Sequence, residues 1–137
     1  MVATVETTSR RERALALLRE AAQLRLEHKH DAAGALADLA RAFPLAPRDQ
    51  LIENQILSLA KTTGDYKTAA AAYAQGIEAL GSDPREAARL RLAYAALVAD
   101  NLGERAPAAD AYAQVAAVEP GNRRAVHAFA SLGAQLD

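Results

Sequence analysis

Acids and histidines crowd one short stretch of this sequence: Glu27, His28, His30 and Asp31. Imidazole and carboxylate groups hold zinc and other divalent metals when they share a face, as histidines four apart on a helix do. These two histidines stand two apart, which turns them away from each other, and cations at a helix C-terminus are favoured by the helix dipole alone. No metal site and no cofactor is expected. Arginines gather in Ser9-Arg10-Arg11-Glu12-Arg13 and at Arg123-Arg124. Neither run carries the interleaved aromatic side chains on which bases stack, so nucleic acid is not an expected partner. There is no glycine-rich phosphate loop, and no nucleophile stands near a histidine and an orienting acid in a recognisable order. The chain has no cysteine, which removes disulfides, thiol catalysis and thiolate metal sites. The residues do not predict an enzyme.

What the sequence does offer is a phrase that recurs. Gly64-Asp65-Tyr66 opens a run reaching Ala69 and Tyr73. Thirty-four residues earlier, His30-Asp31-Ala32 opens one reaching Ala35 and Leu39, and thirty-nine residues later Gly103-Glu104-Arg105 opens one reaching Ala108 and Tyr112. Ala72-Tyr73-Ala74-Gln75 returns as Ala111-Tyr112-Ala113-Gln114. In each unit a small residue is followed four places on by a large one, one turn up the same helix face. The small residue lets a neighbouring helix approach and the large one fills the space beside it.

The composition agrees with stacked helices. About a quarter of the 137 residues are alanine, with much leucine, glutamate and arginine and few β-branched or aromatic residues. Such residues lose little on entering a helix. The length predicts one domain burying roughly two-thirds of its unfolded surface. A formal net charge of −1 gives no overall field toward nucleic acid or anionic lipid. No apolar run is long enough to span a bilayer, and no apolar segment follows a basic start at the N-terminus, so neither membrane insertion nor a secretory signal is expected. The expected location is cytoplasmic. Arginine far outnumbers lysine, which together with the alanine content points to a GC-rich bacterial genome.

These elements must position whatever the chain recognises. Residues 1–9 read as a disordered tail. Ser9, with Glu12 three residues on, reads as a capping box for a first helix from about Arg10 to Lys29. Asp31 caps a second helix that Pro44 and Pro47 end near Phe43 or Leu45. A third starts at Arg48 or Asp49 and reaches about Thr62. Gly64 breaks it, and Asp65 caps a fourth ending near Leu80-Gly81. Asp83-Pro84-Arg85-Glu86 combines a cap, a proline at the first helical position and an early glutamate, opening a fifth helix to about Asn101. A sixth runs from about Arg105 to Val118, and a seventh follows Pro120-Gly121-Asn122 to about Gln135. Short loops between seven helices predict antiparallel neighbours.

These units resemble tetratricopeptide repeats, a family built from 34-residue helix pairs. The best match is Gly64, Asp65, Tyr66, Ala69, Tyr73 and Gly76; the first unit carries Asp31, Ala35, Leu39, Ala42 and Pro47, and the third Gly103, Ala108, Tyr112 and Pro120. The resemblance covers residues 10–137. The large aromatic residue that the family places early in the first helix is absent, and Gly81 stands where the second unit would close with proline. The longer spacing to the third unit places about five extra residues around Ser82 to Ala87, read as a turn added to the N-terminus of the fifth helix. The resemblance implies an all-α, right-handed solenoid of three helix pairs plus a terminal helix.

It also implies where recognition lies. In this family the first helices of each pair line a concave groove that holds a peptide or a helix of another protein. Placed on this sequence, the groove stripe falls on Leu51, Asn54, Ser58 and Lys61, then on Arg89, Leu92 and Ala96, then on Arg124, His127 and Ser131. Asn54, Arg89, Arg124 and His127 would offer donors to an acidic segment or a terminal carboxylate. The lysine and asparagine set with which some members hold such a carboxylate is not reproduced: Glu20 and Leu24 stand in its early places. The expected function is therefore a non-catalytic adaptor. The alternative is a scaffold that self-associates through Val126, Phe129 and Leu132 on the last helix, or a piece of a longer array in which that helix is covered.

Overall fold

The computed structural model describes the backbone of residues 2–136 and the side chains of residues 9–134. Seven α-helices follow in order: α1 (Val2–His28), α2 (Ala32–Ala42), α3 (Gln50–Thr63), α4 (Tyr66–Ala79), α5 (Pro84–Asn101), α6 (Arg105–Val118) and α7 (Arg123–Leu136). A single 3-10 turn, Phe43–Leu45, follows α2, and there is no strand among the described residues.

Local chemistry sets most of these ends. Asp31 accepts from the Gly34 N–H at 2.8 Å, Asp49 from Leu51 N–H at 3.0 Å, Asp83 from Glu86 N–H at 3.3 Å and Asn122 from Ala125 N–H at 3.1 Å. Each satisfies one of the donors that a helix start leaves without an internal acceptor. Asp65 does the same for α4, accepting from Thr68 N–H at 3.1 Å and from its hydroxyl at 2.6 Å. Glu104, which precedes α6, makes no such bond with its side chain. Its extra methylene carries the carboxylate past the position from which aspartate caps.

The start of α1 corrects the sequence reading. The helix begins at Val2, about two turns before the expected Arg10. Residues 2–9 hold no glycine or proline to stop the helix extending through them. Ser9 therefore lies inside α1, where its hydroxyl accepts from Arg13 Nη2 at 3.2 Å instead of capping. The extra turn of the fifth helix is present: α5 has 18 residues where α3 has 14.

The chain divides into two compact units, Met1–Gly76 and Ile77–Asp137, with the boundary inside α4. In the first unit α2 packs against both α1 and α3. Ala35, Leu36, Leu39 and Ala42 give α2 its buried face, and α3 answers with Ile52, Ile56, Leu59 and Ala60. Phe43 is fully buried, with its ring centroid 5.6 Å from that of Tyr73. Burying a phenylalanine stabilises the fold by about 1.5–3 kcal/mol. In the second unit α6 packs against α5 and α7, around Leu90, Val98, Tyr112 and Val115. The recurring small residues Ala35, Ala69 and Ala108 are each completely buried, and their large partners Leu39, Tyr73 and Tyr112 are buried as well.

Candidate functional site

The first stripe is on α3. Asp49 fixes the start of the helix and Ile52, Ile56, Leu59 and Ala60 turn one face into the core. That rotation leaves Leu51, Asn54, Ser58 and Lys61 together on the opposite face, all exposed. Leu51 keeps 55 % of its surface in water. An isobutyl group, an amide, a hydroxyl and an ammonium thus stand in one line along three turns of a packed helix. They supply an apolar contact, hydrogen-bond donors and acceptors, and one positive charge.

The candidates in the second unit are arranged differently. Arg89, Leu92 and Ala96 on α5 are only partly exposed. Arg89 Nε donates to Glu86 Oε2 at 3.2 Å, so this guanidinium is engaged one turn back along its own helix. Arg124, His127 and Ser131 are exposed on α7. Arg124 lies close enough to Tyr112 to oppose the upward push that burial gives the phenol. Of the four donors expected to act together, Arg124 and His127 share a helix and Arg89 shares their unit, while Asn54 belongs to the first unit.

The histidine stretch has a structural explanation. His30 is the one described residue other than glycine with positive φ, at 49°. The Asp31 N–H reaches back six residues to the Arg25 carbonyl at 2.9 Å, so the chain folds back over the helix end through a left-handed residue. Gly103 does the same after α5, with φ 66° and a Glu104 N–H to Val98 carbonyl bond of 3.1 Å. Gly64 ends α3 at φ 78°. His30 therefore occupies after α1 the helix-ending position that Gly64 fills after α3 and Gly103 after α5. His28 is exposed, its Nε2 4.0 Å from Glu27 Oε2. Among the described residues no three acids or histidines converge as metal ligands.

Asp31 is held by Arg25, a residue to which the sequence reading gave no role. Arg25 Nε donates to Asp38 Oδ2 at 2.8 Å and its Nη1 to Asp31 Oδ2 at 3.2 Å. One guanidinium thereby ties the end of α1 to both the cap and the buried face of α2. The Gly34 N–H first, then Arg25, hold the Asp31 carboxyl below its ordinary value. A side chain at Gly34 would meet the Asp31 carboxylate and the Arg25 stem, which is why glycine is tolerated inside this helix. The clue in the sequence was Asp38, an acid within the apolar period of α2 that needs a cation.

The outer face of α7 exposes Val126 and Phe129, whereas Leu132 is half-buried. Beside Val126 lies an open depression of about 560 Å³ lined by Pro120, Gly121, Arg123, His127 and Ala130. Its lining is mainly apolar, with the Arg123 guanidinium and the His127 imidazole toward the N-terminal end of the helix. No helix among the described residues is long and apolar enough to cross a membrane. No protein-family model matches the chain, and no curated protein matches it in sequence.

Proposed function

We propose that this chain is a tetratricopeptide-like binding module that captures a peptide or a helix of another protein without acting on it chemically. The observation that carries the reading is the α3 stripe: Leu51, Asn54, Ser58 and Lys61 exposed in one line, on a helix whose other face is locked into a core. Surfaces that recognise peptides combine an apolar anchor with a few fixed polar groups on a rigid support. Lys61 favours an acidic ligand. The stripes on α5 and α7 belong to the same proposal, as does the stacking of the helix pairs into a right-handed solenoid, and the recurring buried alanines support it.

Selection of peptides from a random display library against the purified chain tests the reading. Selected peptides are expected to bind an Asn54→Ala/Lys61→Glu variant at least tenfold more weakly by calorimetric titration. Both positions are exposed, so the variant keeps its helical circular dichroism. Peptides that bind the variant as tightly as the parent would remove the α3 stripe from the proposal.

A second reading, self-association, is favoured by one observation: Val126 and Phe129 retain 46 % and 44 % of their surface on the same helix.

A further inference from the structure

The apolar surface of α7 is not the only one left open. Leu17 and Leu24 on α1 retain 66 % and 48 % of their surface. They stand seven residues apart, two turns up one face of the helix, and Glu20 and Glu27 lie on that face with them. The inward face of α1 carries Leu15, Leu18 and Ala22 instead. The outward leucines thus serve no purpose in the core of the first unit.

The two open faces are complementary in charge as well as in character. On α1 the acids lie toward the C-terminal end. On α7 the cation Arg123 lies at the N-terminal end, beside Val126 and Ala130. An antiparallel pairing brings the acidic end of one helix against the basic end of the other. With Leu24 seated in the depression beside Val126, Glu27 comes level with Arg123, three residues along each helix in opposite directions. Leu17 comes level with Gly133, beside which there is open space.

We propose that α1 of one copy docks antiparallel on the outer face of α7 of a second copy, joining chains head to tail. The proposal rests on the self-association reading above and names its mating surfaces. Because the two surfaces differ, each joined pair leaves one of each free, and the contact propagates unless its rotation closes a ring. A single helix laid on a single helix covers less than the roughly 800 Å² per partner of a stable complex. The association is therefore reversible and depends on concentration.

Sedimentation velocity on the full chain at low salt, over a wide concentration range, is the test, with Leu24→Glu and Val126→Glu as variants. Both positions are exposed, and circular dichroism verifies that each variant keeps its helices. The parent is expected to gain mass as concentration rises, and each variant alone to remain a monomer. An equimolar mixture of the two variants is expected to form dimers and nothing larger, since one retains its α1 face and the other its α7 face. If the Leu24→Glu variant associates as the parent does, α7 pairs with itself, and the head-to-tail contact is wrong while self-association stands. If both variants are monomeric and their mixture stays monomeric, the head-to-tail contact is likewise excluded. A parent that stays monomeric at every concentration removes both.

Discussion

His30 shows how a residue with a reactive side chain can be placed by its backbone. In the left-handed region an L side chain crowds the following carbonyl, at roughly 1–2 kcal/mol per residue, whereas glycine meets no such clash. Helices α3 and α5 end there with Gly64 and Gly103 instead. His30→Gly is therefore expected to raise stability by about 0.5–1 kcal/mol once the extra freedom of glycine in the unfolded chain is deducted, measured as a higher urea midpoint. A lower midpoint would show that the imidazole makes a stabilising contact. Next to it, Asp31 predicts the response to acid. Its carboxyl, like that of Asp65, lies below the ordinary 3.8 when folded, because backbone and hydroxyl donors favour the anion. The unfolded chain then binds protons more readily in the acid range, so stability rises with pH there. This stabilisation is complete above 3.8 and is lost as pH falls through the lowered folded values. Asp31→Asn can still cap but cannot titrate, and it should flatten the slope of stability against pH below that value; an unchanged slope assigns acid sensitivity to other carboxylates.

Elements were the most legible level, because their ends are fixed by neighbours a few residues apart. Asp49, Asp83 and Asn122 act within three residues of themselves, and the starts of α3, α5 and α7 follow directly. The start of α1 was not legible: a Ser-x-x-Glu pattern stops nothing when the residues before it also accept the helix, and Ser9 bonds forward to Arg13. Nor could periodicity show that Arg25 would bind both the cap of the next helix, Asp31, and an acid on it, Asp38, since pairing between helices depends on how they are packed. Uncapped α6 gives this scale its prediction. Replacing Glu104 by aspartate should supply the bond that the glutamate does not make and stabilise the protein by about 0.5–1 kcal/mol. Thermal unfolding reads it as a raised midpoint, and no rise would mean that the loop holds the carboxylate away from the α6 N–H groups.

For the whole molecule, the stripe positions could be assigned from helical spacing, but their exposure could not. Leu51, Asn54, Ser58 and Lys61 all face water, whereas Arg89 is held by Glu86 and Leu132 is half-buried, because burial depends on what each neighbour covers. The outward leucines of α1 escaped the sequence reading for the same reason. If copies join through α1 and α7, salt should weaken the assembly. At about 1 M the screening length falls to roughly 3 Å, which removes attraction between Glu27 and Arg123 beyond direct contact. The half-association concentration measured by light scattering should rise with salt, and indifference to salt would leave the apolar contact alone to hold the copies. Finally, the three buried alanines carry a consequence for evolvability. Any larger residue at position 35, 69 or 108 overpacks a helix contact, so these sites can hardly change. The α3 stripe touches no core and can drift freely. Under the binding reading proposed above, a lineage carrying this chain could exchange one ligand for another by substitution at a few outward positions, with the architecture inherited unchanged.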